Sequence, residues 1–219
     1  RMTTVAQSVV DAVEEKEKSA IPYELWDEKV VYEGRWLKTK SVRFRARNGD
    51  EGVWESSHRT TKPKESEVDG VDVVAVLRKD GKKYFVLIKQ YRIPLRAFCL
   101  EWPAGLVDAG ESIETAALRE FKEETGYTAS RVLHMSRGSQ GLSPGMTDDS
   151  VQFVVVDVDG DSEENKRPKQ NLGSGEAIEV VLVEIHRLMD YIKEVETTVN
   201  VEAMVYTFAL GYNLSSFFN

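Results

Sequence analysis

The stretch that decides the fold is residues 105–127, GLVDAGESIETAALREFKEETGY. Five residues separate Gly105 from Glu111, and seven separate Glu111 from Arg119-Glu120. Phe121, Lys122, Glu123-Glu124, Thr125, Gly126 and Tyr127 follow. Seven fixed positions at residue frequencies near ~7% would coincide by chance roughly once in a hundred million starting points. The spacing predicts one helix. Ser112 is suited to the N-cap, with Glu114 beside the positive end. Ile113, Ala117, Leu118 and Phe121 recur at helical spacing and give an apolar face. Gly126 stands where a C′ glycine ends a helix.

The polar side of the same helix carries the chemistry. Glu120 and Glu124 are i,i+4 neighbours, so their carboxylates point the same way one turn apart. Two carboxylates on one face suit a hard cation; magnesium takes the rest of its shell from water and phosphate. Arg119 forms a second i,i+4 pair with Glu123 and can hold Glu123 or Glu111 in place. The alternative is a solvated helix with a charge run. Two features argue against it. The acids cluster on one side, and the lead-in from Pro103 to Gly110 contains glycines that suit close backbone approach.

Composition bounds the rest. At 219 residues the chain reads as one large domain with an N-terminal extension. Its 41% hydrophobic and 30% charged residues describe an ordinary globular protein. The single cysteine, Cys99, excludes an intrachain disulfide and points to a reducing compartment, the cytoplasm and with it the nucleus. No segment reads as a signal peptide or a membrane span. A net charge of −8 argues against a nucleic-acid surface but not against a phosphate substrate met by metal and a few arginines.

Outward from the helix, residues 71–77 (VDVVAVL) and 84–91 (YFVLIKQY) read as strands around an Asp80-Gly81 turn. The first is nearly all apolar and so central. Strands are also expected at 130–136, 151–158 and 176–185, with loops at 137–149 and 159–175. Upstream, residues 28–60 read as strands around an Asn48-Gly49 hairpin, with Trp36 and Trp54 on them. Residues 3–20 read as a short helix broken by Pro22. The chain ends in a helix from His186 and another over 200–216, with Val201, Met204, Val205, Phe208 and Tyr212 inward. The boundaries implied are an N-terminal helix or flexible extension at 1–21, a β-rich region at 22–61 and a main domain at 62–219.

The 105–127 spacing matches the Nudix box at every defined position, and the chain resembles the Nudix hydrolases. The flanks EGRW (33–36), VWESSHRTT (53–61), VLIKQYR (86–92), EWPAGLVDAGE (101–111) and LSPGMTDD (142–149) narrow the resemblance to the animal ADP-sugar, or ADP-ribose, pyrophosphatases. It implies an α/β/α sandwich with a mixed sheet and an N-terminal β-rich dimerisation extension. It implies Mg2+ (or Mn2+), about two or three ions per site, held by Glu120, Glu124 and the Ala104 carbonyl. Glu123 and Glu111 would support them. Glu176 would position or deprotonate the attacking water.

The same resemblance implies that Trp36 and Trp54 sandwich adenine, each from a different subunit of a homodimer, and that Glu55 accepts from the base. Arg59 and Arg92 would hold diphosphate or ribose oxygens. Leu106 would line the pocket, and Ser143, in Ser143-Pro144-Gly145, would approach the terminal sugar. The sequence departs from close relatives before that proline, where they carry an acid and this chain carries Ser143. The histidines His58, His134 and His186 show no ligand spacing. The reaction implied is hydrolysis of ADP-ribose and other ADP-sugars to AMP and a sugar phosphate, without nucleic acid or membrane as partner. Rivals are a Nudix hydrolase of other nucleoside diphosphates and a non-catalytic ADP-ribose-binding module. The second conflicts with the four intact box glutamates.

Overall fold

The computed structural model describes residues 21–214. The helix expected over 3–20 and the last residues of the expected C-terminal helix lie outside them. The chain forms two compact units. One runs to Thr61 and includes Ser143–Asp148; the other holds Lys62–Leu142 and the residues from Asp149 on.

The second unit carries the box. Its centre is β4 (Gly70–Lys79), with β10 (Ser150–Asp159) parallel on one edge. The other edge is shared. β7 (Ala104–Leu106) pairs with the start of β4, and β5 (Lys82–Arg92) with its end. β5 leaves β4 to pair with β6 (Ala97–Glu101), while β11 (Ile178–Glu184) lies along its opposite edge. β8 (Arg131–Met135) and β9 (Gln140–Gly141) pair with β10, and β12 (Asn200–Val201) runs parallel to β6. The β4–β5 turn needs two left-handed residues, and Asp80 (φ 50°) and Gly81 (φ 73°) supply them.

The period of two in these strands sorts the core into two layers. Val71, Val73, Ala75 and Leu77 of β4 join Val154, Val156 and Val158 of β10 against α1 (Ile113–Thr125), whose Ala116, Ala117 and Phe121 are buried. Val74 of β4, with Phe85 and Leu87 of β5, faces α2 (Leu188–Val195) and α3 (Ala203–Tyr212). This is a mixed sheet between helices, the expected α/β/α sandwich.

Several boundaries differ from the sequence reading. Glu176 precedes β11 instead of opening it, and Ile185 begins a short 3-10 turn, not the strand's end. The last helix starts at Ala203, because Asn200 and Val201 are drawn into the sheet beside Cys99 and Leu100. Tyr212 is 47% exposed but turns its ring onto Phe85 and Phe208 as expected, and Ala209 adds a buried position one turn from Val205. Strand structure also begins at Tyr23, directly after Pro22.

The first unit is an antiparallel sheet of β1 (Tyr23–Glu33), β2 (Leu37–Ala46) and β3 (Glu51–Arg59) in that order. Gly49 (φ 90°) makes the β2–β3 hairpin turn. The 143–148 loop joins the outer edge of β3 through a parallel bridge between Ser57 and Thr147.

Candidate active site

Helix α1 is built as its sequence dictates. The Ser112 side chain accepts from Thr115 N at 3.1 Å, and Gly126 closes the helix at φ 77° by donating to Lys122 O at 2.8 Å. A Cβ on Gly126 would lie 2.4 Å from the Lys169 nitrogen, so that position tolerates no side chain. The buried stripe then fixes the rotation of α1 and turns Glu120 and Glu124 toward β7.

The box arginine holds its acids together. Arg119 donates to Glu111 at 2.8 and 2.9 Å, to Glu120 at 2.8 Å, to Glu123 at 3.3 Å and to the Leu106 carbonyl at 3.0 Å. That guanidinium keeps the Glu111 carboxyl below its ordinary range. Glu120 is different. Burial pushes it up, Arg119 draws it down, and Glu123 and Glu176 push it up again.

Glu124 is 4% exposed and accepts from Ala104 N at 2.9 Å. Burial first, then the charges of Glu120 and Glu176, push its carboxyl up to about 8 against the Ala104 hydrogen bond and Arg92. Glu176 accepts from Gly173 N at 2.7 Å on the loop before β11. Glu120 and Glu124 therefore both face the Ala104–Gly105 backbone, and the charge of Glu176 acts on both carboxyls.

This donor set suits a divalent cation. All the groups are oxygens, and their mutual repulsion is relieved by positive charge between them. Among the described residues no three His, Cys, Asp or Glu side chains are gathered closely enough to hold a metal unaided. Two glutamates and a carbonyl leave the remaining positions to water and phosphate. A side chain at position 105 would displace Glu120, because a Cβ on Gly105 would lie 1.9 Å from Glu120 Cδ.

The other expected residues fall in two places. Arg92 is on β5 and clamps Glu101 with contacts of 2.6 and 2.8 Å. Trp36, Trp54, Glu55, Arg59 and Ser143 belong to the first unit. Trp36 is 61% exposed with Arg35 stacked 4.5 Å over its ring, and Trp54 is 48% exposed at the edge of Phe44. Neither is a core residue. Trp36 pairs across from Thr60, six residues along from Trp54. At the usual strand rise that is about 20 Å, too far for both rings of one chain to face a single base.

Asp72 escaped the sequence reading. It is 3% exposed, stands opposite Ala104, and its Oδ2 has no hydrogen-bond partner among the described residues. Burial, then Glu101 and Asp149, push it up to about 7. The signal was present as a lone acid within an apolar central strand. Glu202, before α3, is pushed up to about 8 by burial and the neighbouring Asp72 and Glu101.

Comparison with known proteins agrees with this geometry. Residues 66–201 match the NUDIX domain. A Caenorhabditis elegans protein carried under the name nudix hydrolase 2 is 45% identical over 98% of this chain and 100% of its own. The ADP-ribose pyrophosphatase of Saccharomyces cerevisiae is 40% identical over 71% of this chain and 67% of its own. The ADP-sugar pyrophosphatase of Mus musculus is 34% identical over 90% of this chain and 91% of its own. With its domain matched over more than half its length and the box acids facing one another, the chain belongs to the Nudix family.

Proposed function

We propose that this Nudix enzyme hydrolyses ADP-ribose and other ADP-sugars to AMP and a sugar phosphate. The observation that carries the chemistry is the placement of Glu120 and Glu124 against the Ala104–Gly105 backbone. The substrate class rests on the names of the yeast and mouse relatives and on the exposed tryptophans.

Glu120, Glu124 and the Ala104 carbonyl would hold magnesium, or manganese, as about two or three ions per site. When bound, such ions neutralise the diphosphate and acidify water. The chain's own groups do the rest. Glu176 takes the proton of the attacking water. Arg119 fixes Glu111, Glu120 and Glu123 so that no side chain reorganises during the reaction. Arg59 and Arg92 bind diphosphate or ribose oxygens, Leu106 lines the pocket, and Ser143 approaches the terminal sugar.

The enzyme is a homodimer in this reading. Trp36 of one copy and Trp54 of the other close on adenine, with Glu55 on the base edge, since one chain places those rings too far apart. The exposed Tyr23, Leu25, Val31 and Val53 of the first unit give a second copy apolar surface to cover. The enzyme works in the cytoplasm and the nucleus, where Cys99 stays reduced. No helix among the described residues is long and apolar enough to cross a membrane.

Product analysis by chromatography, with ADP-ribose and with or without magnesium, tests the reading. AMP and ribose 5-phosphate appearing only with metal is the expected result. Intact ADP-ribose alongside cleavage of another nucleoside diphosphate would overturn the substrate, and binding without any cleavage would overturn the enzyme.

A further inference from the structure

Ser56, His58 and Asp148 form a hydrogen-bonded relay. Ser56 Oγ lies 2.8 Å from His58 Nε2, and His58 Nδ1 lies 2.8 Å from Asp148 Oδ2. The carboxylate selects the tautomer: Nδ1–H donates to Asp148, and Nε2 is left to accept from the Ser56 hydroxyl. Ser56 and His58 stand two apart on β3, so both share a face with Trp54. The His58 side chain is 14% exposed, and the serine is half-buried.

Serine, histidine and aspartate at these distances are the parts of an activated nucleophile. One contact argues otherwise. The amide after such a serine commonly donates to the oxyanion. Here Ser57 N–H is spent on Met146 O at 2.9 Å. That bond shows instead what the relay accompanies. The 143–148 loop is tied to β3 by backbone at Ser57 and by side chain at His58. Within the loop, Met146 N and Thr147 N both donate to Ser143 O, at 2.8 and 3.0 Å. Pinning Asp148 therefore sets Ser143 through one short turn.

We propose that the Ser56–His58–Asp148 relay is a positioning device: it locks the loop bearing Ser143 to the strand bearing Trp54 and Glu55, and so sets affinity for the sugar end of the substrate. It rests on the reading that these three residues touch an ADP-sugar. His58 and Asp148 act through the loop and touch no reacting atom.

The test compares His58→Ala, Asp148→Ala, Asp148→Asn and Ser56→Ala with the full chain. In the alanine variants at 58 and 148, KM for ADP-ribose rises about tenfold while kcat stays within about twofold. Inhibition by AMP, which lacks the sugar end, also stays within about twofold. Amide exchange over 143–148 quickens by at least about tenfold. Asp148→Asn, whose amide oxygen still accepts from Nδ1–H, restores both readouts. Unchanged KM or unchanged exchange in folded alanine variants would overturn the proposal. So would labelling of Ser56 by a fluorophosphonate, which would make it a nucleophile. Ser56→Ala deletes one hydroxyl and carries the same KM test if the larger truncations do not fold. If the wild type leaves ADP-ribose intact, the assigned substrate fails, while the exchange comparison still decides whether the relay locks the loop.

Discussion

Gly105 and Glu120 compete for one volume: a Cβ on the glycine would lie 1.9 Å from the glutamate's carboxyl carbon and 2.2 Å from its nearer oxygen. The conformation of Gly105 is ordinary. What the glycine provides is the space in which the carboxylate sits. Gly105→Ala is expected to push Glu120 out of line with Glu124. A misplacement near 1 Å costs about 100-fold in rate, so kcat should fall by about that factor in a chain that still folds. Steady-state kinetics with circular dichroism checks both halves.

Glu124→Gln should lose most turnover and alter the response to pH. The folded carboxyl keeps its proton to about 8, whereas its ordinary value is 4.5. The folded state therefore binds the extra proton, and stability falls as pH rises from about 4.5 to about 8. In chelator, each kcal/mol so lost would lower Tm by roughly 2–4 °C in a chain of this size. Glutamine at this position should flatten that slope. Asp72 and Glu202 act in the same direction, so part of the slope remains. Melting curves at pH 5 and pH 9 give the comparison, and equal slopes in the two proteins would refute it.

Arg119→Lys tests the clamp. A lysine ammonium cannot reach Glu111, Glu120, Glu123 and the Leu106 carbonyl at once as the guanidinium fork does. Loss of such support typically costs about 10–100-fold in metal affinity or activity. The expected signature is a raised magnesium requirement, read from rate against metal concentration.

Trp54→Ala should act on binding alone. The ring is 48% exposed, so little core is lost, and Tm should hold. Stacking worth about 1–3 kcal/mol per base predicts a rise in KM of roughly 5- to 150-fold with kcat preserved. A fall in Tm with unchanged KM would return the ring to a packing role.

The box helix was legible because each of its parts is local. Ser112, the Ala117–Phe121 stripe and Gly126 specify start, face and stop within one short segment. The central place of β4 was legible for a related reason: a nearly all-apolar run must be covered on both sides. Asp72 was not, because its meaning comes from Ala104, Glu101 and Asp149, distant in sequence. Glu202 and β12 were hidden likewise, since Asn200 and Val201 look like the lead-in to a helix until β6 offers them a partner. His58 gave no motif at all. Its partner acid lies ninety residues on, and only the bridge at Ser57 brings the two together.

The shared edge of β4 has a mechanical consequence. Ala104 is part of a strand pair with Asp72, and its neighbour Pro103 accepts from Val73 N at 2.8 Å. The Ala104 backbone, to which we assign a cation, is thus welded to the most buried strand of the sheet. Loops fray at almost no free-energy cost, but β7 can leave only when the β4 ladder opens with it. The β7 backbone therefore belongs to the last part of the molecule to melt, and its stiffness is that of the sheet itself.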